Sequence, residues 1–218
     1  ELVVDQTTEQ VRLLMRVKQV LKERALMLYA QPIHNREGEG YHEILTRMRC
    51  GDSVIMPDQF IPLIVQFNLS QRFDMLVLET LFSVLHQHPG QRFSVNLLPA
   101  TLMQKDSAVQ IIALFQRYAV SPDLITIEVT EEQAFSNADI SQQNLEALRA
   151  FGCAIAIDDF GTGYANYERL KHLQADIIKI DVCFVRDILT DPLDAIMVKS
   201  IVEMARAKQM SMITDRKS

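Results

Sequence analysis

Short apolar segments alternate with amphipathic segments along most of this chain, and this alternation restricts it to few folds. Apolar runs bounded by turn residues predict buried strands, and the segments between them carry apolar residues at helical spacing. The predicted strands cover residues 25–31, 42–48, 92–97, 124–129, 153–158, 176–180 and 210–213. The predicted helices cover residues 8–24, 57–67, 70–88, 107–118, 140–150, 164–173 and 193–208. Strands that alternate with helices are typical of a mostly parallel α/β sheet, either open and doubly wound or closed into a (β/α) barrel.

Length and charge narrow the class of protein further. The 218 residues suffice for one domain, at most two, and 48% hydrophobic residues can form its core. The net charge of −6 argues against binding to duplex nucleic acid, which requires clustered lysine and arginine. Three dispersed cysteines favour a reducing compartment, and no apolar run is long enough to span a membrane. We therefore expect a cytoplasmic domain and, because the chain starts without Met, one cut from a longer protein.

Polar residues stand near the C-terminal ends of four predicted strands. They are Asn96, Glu128, the pair Asp158 and Asp159, and Lys179. The C-terminal ends of parallel strands open onto one face, so these side chains should meet there. Carboxylate and amide oxygens without histidine or cysteine suit Mg²⁺ or Mn²⁺, and adjacent aspartates can bridge two ions.

Three interpretations of these residues stay open. The first is metal-dependent phosphoryl chemistry, in which the lysine holds the attacking water or offsets phosphate charge. The second is another metal-assisted barrel reaction, such as enolisation, and the third is a network of structural ion pairs. The stretch D-D-F-G-T-G-Y at 158–164 favours a functional interpretation, because two acids lead into a loop whose glycines permit close approach of the backbone to a ligand.

Seven short motifs follow one another along the chain. They are Y-A-Q-P-I at 29–33, E-I-L-T-R at 43–47, P-D-Q-F-I-P at 57–62, S-V-N-L at 94–97, E-V-T-E at 128–131, D-D-F-G-T-G-Y at 158–164 and I-K-I-D at 178–181. In this order and spacing they resemble the EAL-domain phosphodiesterases, which hydrolyse the bacterial second messenger cyclic di-GMP to the linear dinucleotide pGpG. The resemblance covers about residues 25–213. It implies a TIM-like (β/α) barrel whose first strand is antiparallel to the rest.

The resemblance also implies roles for individual residues. The implied metal ligands are Glu43, Asn96, Glu128, Asp158 and Asp159, which would hold two ions of Mg²⁺ or Mn²⁺. The implied catalytic residues are Lys179, Glu43 and Glu131. Lys179 would position the attacking water, and Glu131 would hold the mobile loop after Asp159. The implied contacts to cyclic di-GMP are Gln31, Arg47 and Asp181. Met48 stands where the family often has Trp, which predicts the loss of one stacking surface.

The organisation of the chain follows from the same resemblance. Residues 1–24 would be a linker helix, or would pack on the domain itself, and residues 25–218 would be the barrel domain. The family continues after the strand at 210–213 with a Glu, a helix and a last strand. Here Asp215 takes the place of that Glu, and we expect the last helix and strand to be missing from a C-terminally truncated domain. The family context predicts a homodimer and an upstream diguanylate-cyclase-like or sensory domain, in a parent protein that can be anchored in the inner membrane.

Two functional alternatives stand beside metal-dependent hydrolysis of cyclic di-GMP. A catalytically impaired domain would bind cyclic di-GMP or another protein without turnover. An unrelated metal-assisted barrel enzyme would act on a small acid instead. Retention of the acids and of Lys179 favours hydrolysis for the parent protein, while the C-terminal departure leaves the activity of this chain open.

Overall fold

The computed structural model describes residues 2–34, 40–134, 139–161, 174–186 and 188–214, which contain one mixed sheet of eight strands. The strands are β1 (Leu26–His34), β2 (Gly40–Cys50), β3 (Ser53–Ile55), β4 (Phe93–Asn96), β5 (Ile125–Thr130), β6 (Ala154–Phe160), β7 (Ile177–Ile180) and β8 (Ser211–Thr214). Their order is β1-β2-β4-β5-β6-β7-β8, and β3 pairs with β2. β1 and β3 are each antiparallel to β2, whereas the pairs β2-β4, β4-β5, β5-β6, β6-β7 and β7-β8 are parallel. This confirms the predicted α/β sheet of the TIM-like type with an antiparallel first strand.

Helices flank this sheet. Among the described residues they are α1 (Leu2–Glu23), α2 (Pro57–Gln66), α3 (Ser70–Val84), α4 (Pro99–Leu102), α5 (Ser107–Tyr118), α6 (Glu131–Ala134), α7 (Asp139–Phe151), α8 (Val182–Arg186) and α9 (Pro192–Ala207). The predicted helix at 164–173 lies outside the described residues. The short elements β3, α4, α6 and α8 were not predicted, because three to five residues show no periodicity. In the part of the chain that the structure describes, no helix has the length and apolar character needed to cross a membrane.

The N-terminal helix was predicted with the wrong start, since α1 begins at Leu2 rather than at Thr8. Its last turns pack on the domain, where Val17, Val20 and Leu21 belong to the hydrophobic core. Burial of these three side chains fixes the end of α1 against the sheet domain. The division of the chain at residue 24 stays a prediction.

The central strands are buried on both faces, which explains their nearly continuous apolar sequence. In β6, Ile155 and Ile157 point to one face, while Ala156 and Asp158 point to the other, and all four are buried. The isoleucines lie on the face that the helices cover. The face that carries Asp158 is the inner wall of the sheet.

The register of the parallel strands brings polar residues of the inner wall to one end of the sheet. Asn96 of β4 is opposite Glu128 of β5, and Thr130 of β5 is opposite Asp158 of β6. The pairing of β6 with β7 is irregular between Ile157 and Phe160, and Asp159 has a left-handed φ of 52°. The two adjacent aspartates at the end of β6 are therefore separated by a bend in the strand.

Candidate active site

Three buried carboxylates converge at the C-terminal end of the sheet. Glu43 from β2, Glu128 from β5 and Asp158 from β6 each offer a carboxylate oxygen, and these oxygens lie within 4.8 Å of one another. Lys179 from β7 is fully buried among them. Its Nζ donates to Glu128 Oε2 at 2.8 Å and to Glu43 Oε2 at 3.2 Å, and lies 3.4 Å from Asp158 Oδ1. The structure thus brings together four residues that the sequence analysis assigned to one site, each from a different strand.

The electrostatics of this cluster keep Lys179 positively charged. Burial lowers the pKa of its ammonium, but the attraction of Glu128, Asp158 and Glu43 outweighs burial and raises the pKa above its ordinary value. Burial raises the pKa of Glu128 to about 6, although the nearby lysine opposes that rise. Three carboxylates face one ammonium, so the cluster has negative charge to spare.

An unpartnered oxygen in the cluster fits a divalent cation. Glu128 Oε1 is buried and has no hydrogen-bond donor among the described residues. The Ser94 hydroxyl on β4 is near enough to lower the pKa of Glu128. Ser94 Oγ nevertheless makes no hydrogen bond to a described residue, so Glu128 Oε1 keeps no donor. A buried carboxylate oxygen without a donor is destabilising unless a cation satisfies it. Its chemistry, with that of the neighbouring carboxylates, suits a hard ion such as Mg²⁺ or Mn²⁺.

Two further predicted ligands stand at the edge of the cluster. Asn96 donates from Nδ2 to Glu43 Oε1 at 3.4 Å, and it is exposed towards the open end of the sheet. Asp159 is half-buried and follows Asp158 directly, but it does not belong to the group of acids within 4.8 Å of one another. The structure therefore places Asn96 in contact with the cluster and Asp159 beside it.

Glu131 connects the ends of two neighbouring strands. It is buried at the start of α6, directly after β5, and its Oε2 accepts a hydrogen bond from the backbone N of Gly161 at 3.0 Å. Gly161 follows β6 with a φ of 105°, in the region that favours glycine. The contact lies where the loop predicted to be held by Glu131 begins. The residues that follow, 162–173, lie outside the described residues.

The three predicted substrate contacts have different surroundings. Gln31 of β1 is exposed and lies directly opposite Glu43 in the antiparallel register. The Arg47 guanidinium donates to the carbonyl oxygen of Thr46 at 2.9 Å. Asp181 follows β7, and its carboxylate accepts from the backbone N of Cys183 at 2.8 Å. Gln31 and Arg47 share the inner wall with Glu43, whereas Asp181 supports the start of α8.

One expectation about the binding surface was wrong. Met48 is fully buried in the core, and it points to the face of β2 opposite to that of Glu43 and Arg47. Its side chain cannot replace or remove a surface inside the site. The sequence alone could have shown this, because side chains alternate between the two faces of a strand and positions 43 and 48 are an odd number of residues apart.

Sequence reasoning also missed two buried polar residues, one on β2 and one in α6. Tyr41 lies two residues before Glu43 on the same face, and its buried hydroxyl has no partner among the described residues. Gln133 in α6 is buried; it donates from Nε2 to the Leu97 carbonyl at 3.1 Å and accepts from the Thr130 backbone N at 2.6 Å. It thereby links the ends of β4 and β5. The same alternation could have identified Tyr41, but no local pattern signals Gln133.

Comparison with known sequences identifies relatives over the whole chain. The sequence model of the EAL domain family matches residues 15–216. The "Probable cyclic di-GMP phosphodiesterase PdeA" of Escherichia coli K12 is 58% identical over 219 residues, which cover 99% of this chain and 30% of that protein. The "Cyclic di-GMP phosphodiesterase PdeF" of the same organism is 39% identical, over 95% of this chain and 28% of that protein. The chain thus spans less than a third of the length of these curated relatives.

Solved structures of EAL domains have a similar fold. The structure titled "PaMucR Phosphodiesterase, c-di-GMP complex" is similar with a TM-score of 0.82 and 31% identity, over 93% of this chain and 85% of that one. The FimX EAL domain of Xanthomonas citri, solved with c-diGMP, has a TM-score of 0.87 over 98% of this chain and 86% of that one. Its 18% identity makes it a likeness of fold alone.

Proposed function

The chain belongs to the EAL-domain family, and from this premise we propose that it hydrolyses cyclic di-GMP to pGpG in bacterial second-messenger signalling. The observation that supports the proposal most is the buried cluster of Glu43, Glu128 and Asp158 around Lys179. A purely structural network would pair its charges. Here an oxygen of Glu128 is left without a donor, and acids outnumber the lysine.

Two divalent cations, Mg²⁺ or Mn²⁺, complete this proposed site. The first would be held by Glu43, Asn96, Glu128 and Asp158, and the second by Asp158 together with Asp159. When bound, such ions supply the Lewis acidity that activates water and offsets charge on a phosphodiester. Asn96 contacts Glu43 at 3.4 Å through its amide nitrogen, and it would present its amide oxygen to an ion there once the amide turns over.

Lys179 has a defined part in the proposed reaction. Its raised pKa keeps it an ammonium, so it donates hydrogen bonds and does not accept the proton of the attacking water. The longest of its three carboxylate contacts, 3.4 Å to Asp158, is the one that most easily gives way to a water oxygen. Lys179 would hold that water in line with the phosphorus. The water oxygen bonds to phosphorus as the bond from phosphorus to the 3′ oxygen breaks, and the proton that the water releases to solvent is balanced by the one that the leaving 3′ oxygen takes up from solvent.

The inner wall supplies the proposed contacts to the dinucleotide. Gln31 stands directly across from Glu43, so its amide can meet a phosphate or sugar oxygen near the reacting centre. Arg47 lies two residues after Leu45, on the same face of β2, and its planar guanidinium suits two oxygens of a phosphate. Asp181 would orient the ligand from the end of β7. Glu131 would act indirectly, by fixing the backbone at Gly161.

The test measures pGpG by chromatography after incubation of the chain with cyclic di-GMP and Mg²⁺. We expect turnover by the wild type and at least about a hundredfold lower kcat in Lys179→Ala, because the variant loses both the water contact and the charge. Lys22→Ala is the matched control, since Lys22 is an exposed lysine in α1. Wild-type binding of cyclic di-GMP without any turnover would support the binding-module alternative. Equal kcat for wild type and Lys179→Ala would refute the role of the lysine.

The wider context belongs to the same proposal. We propose that the domain works in the cytoplasm as a homodimer, within a longer protein that joins it through α1 to a diguanylate-cyclase-like or sensory domain and can anchor it in the inner membrane. The length of the relatives supports a longer protein, because the chain covers 30% or less of each of the two described above. Analytical ultracentrifugation of the chain tests the dimer.

A further inference from the structure

Tyr29 stands on the wall of the proposed site, although the motif that contains it assigned a role only to Gln31. In the antiparallel register Gln31 is opposite Glu43, and Tyr29 is opposite Leu45. Directly opposite residues share a face, and so do residues two apart in a strand. Because Glu43 points into the carboxylate cluster, Tyr29 projects from the same inner wall.

The direction of the strands places Tyr29 nearer to the opening of the site than Gln31. β1 runs antiparallel to β2, so the step from Gln31 to Tyr29 follows the step from Glu43 to Leu45. That step leads towards the C-terminal ends of the parallel strands, where Asn96 is exposed. Two residues in a strand correspond to about 7 Å. Tyr29 therefore lies about one such step above the level of the carboxylates.

The ring of Tyr29 is available to a flat ligand on this wall. Its side chain is 53% exposed, and the Arg47 guanidinium carbon lies 5.8 Å from the ring centroid. A single half-exposed tyrosine on an outer surface needs no explanation. This one stands beside a carboxylate cluster and next to an arginine, in the arrangement by which proteins combine base stacking with phosphate contacts.

We propose that Tyr29 is a specificity-determining residue whose ring stacks on a purine base of the dinucleotide while Arg47 contacts the adjacent phosphate. The inference rests on the proposed function, since it names the surface that would recognise the base of the same substrate. It also replaces the stacking surface that was wrongly sought at position 48. Stacking acts on the base and not on the reacting phosphorus, so it should affect binding more than the chemical step.

The test compares Tyr29→Phe, Tyr29→Leu and Tyr29→Ala with wild type in steady-state hydrolysis of cyclic di-GMP. We expect Tyr29→Ala and Tyr29→Leu to raise KM roughly tenfold with kcat within about twofold, and Tyr29→Phe to behave like wild type, because the ring suffices for stacking. Tyr29→Leu guards against a folding defect, since leucine keeps an apolar side chain on the strand. Phe67→Leu is the matched control: Phe67 is 41% exposed after α2, with Lys18 Nζ at 5.6 Å from its ring.

Hydrolysis of methyl p-nitrophenyl phosphate, a phosphodiester without a nucleobase, separates the two proposals. We expect Tyr29→Ala to hydrolyse this diester as fast as wild type does. An unchanged KM for cyclic di-GMP in both Tyr29→Ala and Tyr29→Leu would overturn the stacking proposal while leaving the proposed function in place. If wild type hydrolyses neither compound, the proposed function fails. Equilibrium dialysis of cyclic di-GMP with the same variants then tests Tyr29 by binding alone. Equal affinities would overturn its role, and a roughly tenfold loss of affinity in Tyr29→Ala would support it.

Discussion

Replacing the buried carboxylate of Asp74 by an amide should remove a large pH dependence from the stability of the domain. Asp74 lies in α3 and is fully buried. One of its oxygens accepts from the backbone N of Leu98 at 2.9 Å and from the Thr101 hydroxyl, and the other has no partner among the described residues. Burial raises the pKa of Asp74 from 3.8 to about 7, and the two hydrogen bonds offset only part of that rise.

The sign and size of the effect follow from this pKa. The folded protein binds the proton of Asp74 more tightly than the unfolded chain does, so protonation of Asp74 stabilises the fold. This stabilisation is complete below pH 3.8 and is lost as the pH rises to about 7. A difference of about three pKa units corresponds to about 4 kcal/mol. The amide of Asp74→Asn can accept the same two hydrogen bonds but does not titrate. The free energy of unfolding of wild type relative to this variant should therefore fall by about 4 kcal/mol between about pH 4 and pH 8.

Urea unfolding of both proteins across this pH range measures the effect, with EDTA present so that metal binding does not contribute. Asp52→Asn controls for the loss of a surface carboxylate, because Asp52 is exposed in the turn between β2 and β3. We expect only Asp74→Asn to change the pH profile by several kcal/mol. Parallel profiles for wild type and Asp74→Asn would refute the argument that burial holds the proton on this side chain.

Three further substitutions test close contacts and buried polar groups of the domain. Gly161→Ala should destabilise the domain by about 1–3 kcal/mol more than Gly51→Ala in thermal unfolding. A Cβ at Gly161 would stand 2.8 Å from the Phe184 ring, whereas one at Gly51 meets nothing within 4 Å. Equal losses of stability in the two variants would contradict this. Asn144→Ala should cost about 2–4 kcal/mol in urea unfolding, since this buried amide bonds three backbone groups between α4 and α5, and a loss below about 1 kcal/mol would show that those bonds are replaced. Tyr41→Phe should raise the free energy of unfolding by about 1 kcal/mol, because it removes a buried unpartnered hydroxyl; a decrease would show that the hydroxyl is bonded.

The strands were the part of the fold that the sequence predicted best. The apolar run that forms β6 ends in two aspartates, so the strand and its place in the site could be predicted together. β3 has three residues and depends on its pairing with β2, which leaves no local signal. α1 was predicted to begin at Thr8, but it continues N-terminally to Leu2. Propensity at a single position does not determine where a helix starts.

For the candidate site, the sequence could predict which residues meet but not how their charges pair. Glu128 and Lys179 were expected at the same end of the sheet, and Lys179 Nζ lies 2.8 Å from Glu128 Oε2. That distance depends on the stagger of several strands, which no local pattern contains. Asp74 illustrates the same limit, because its partners are 24 and 27 positions further along the chain. Contacts of this kind are set by packing between elements and become visible only in three dimensions.

The ammonium of Lys179 acts as a built-in counter-ion for the three carboxylates, so folding of the domain does not depend on the metal binding proposed above. In small metal-dependent folds, ligands repel one another once the ion is gone, and the chain unfolds on chelation. Here each of the three carboxylates keeps a cationic neighbour within 3.4 Å that belongs to the polypeptide itself. Under the function proposed above, a cell short of divalent cations would then hold the domain folded but inactive. Its output would recover as fast as ions return, without new protein synthesis.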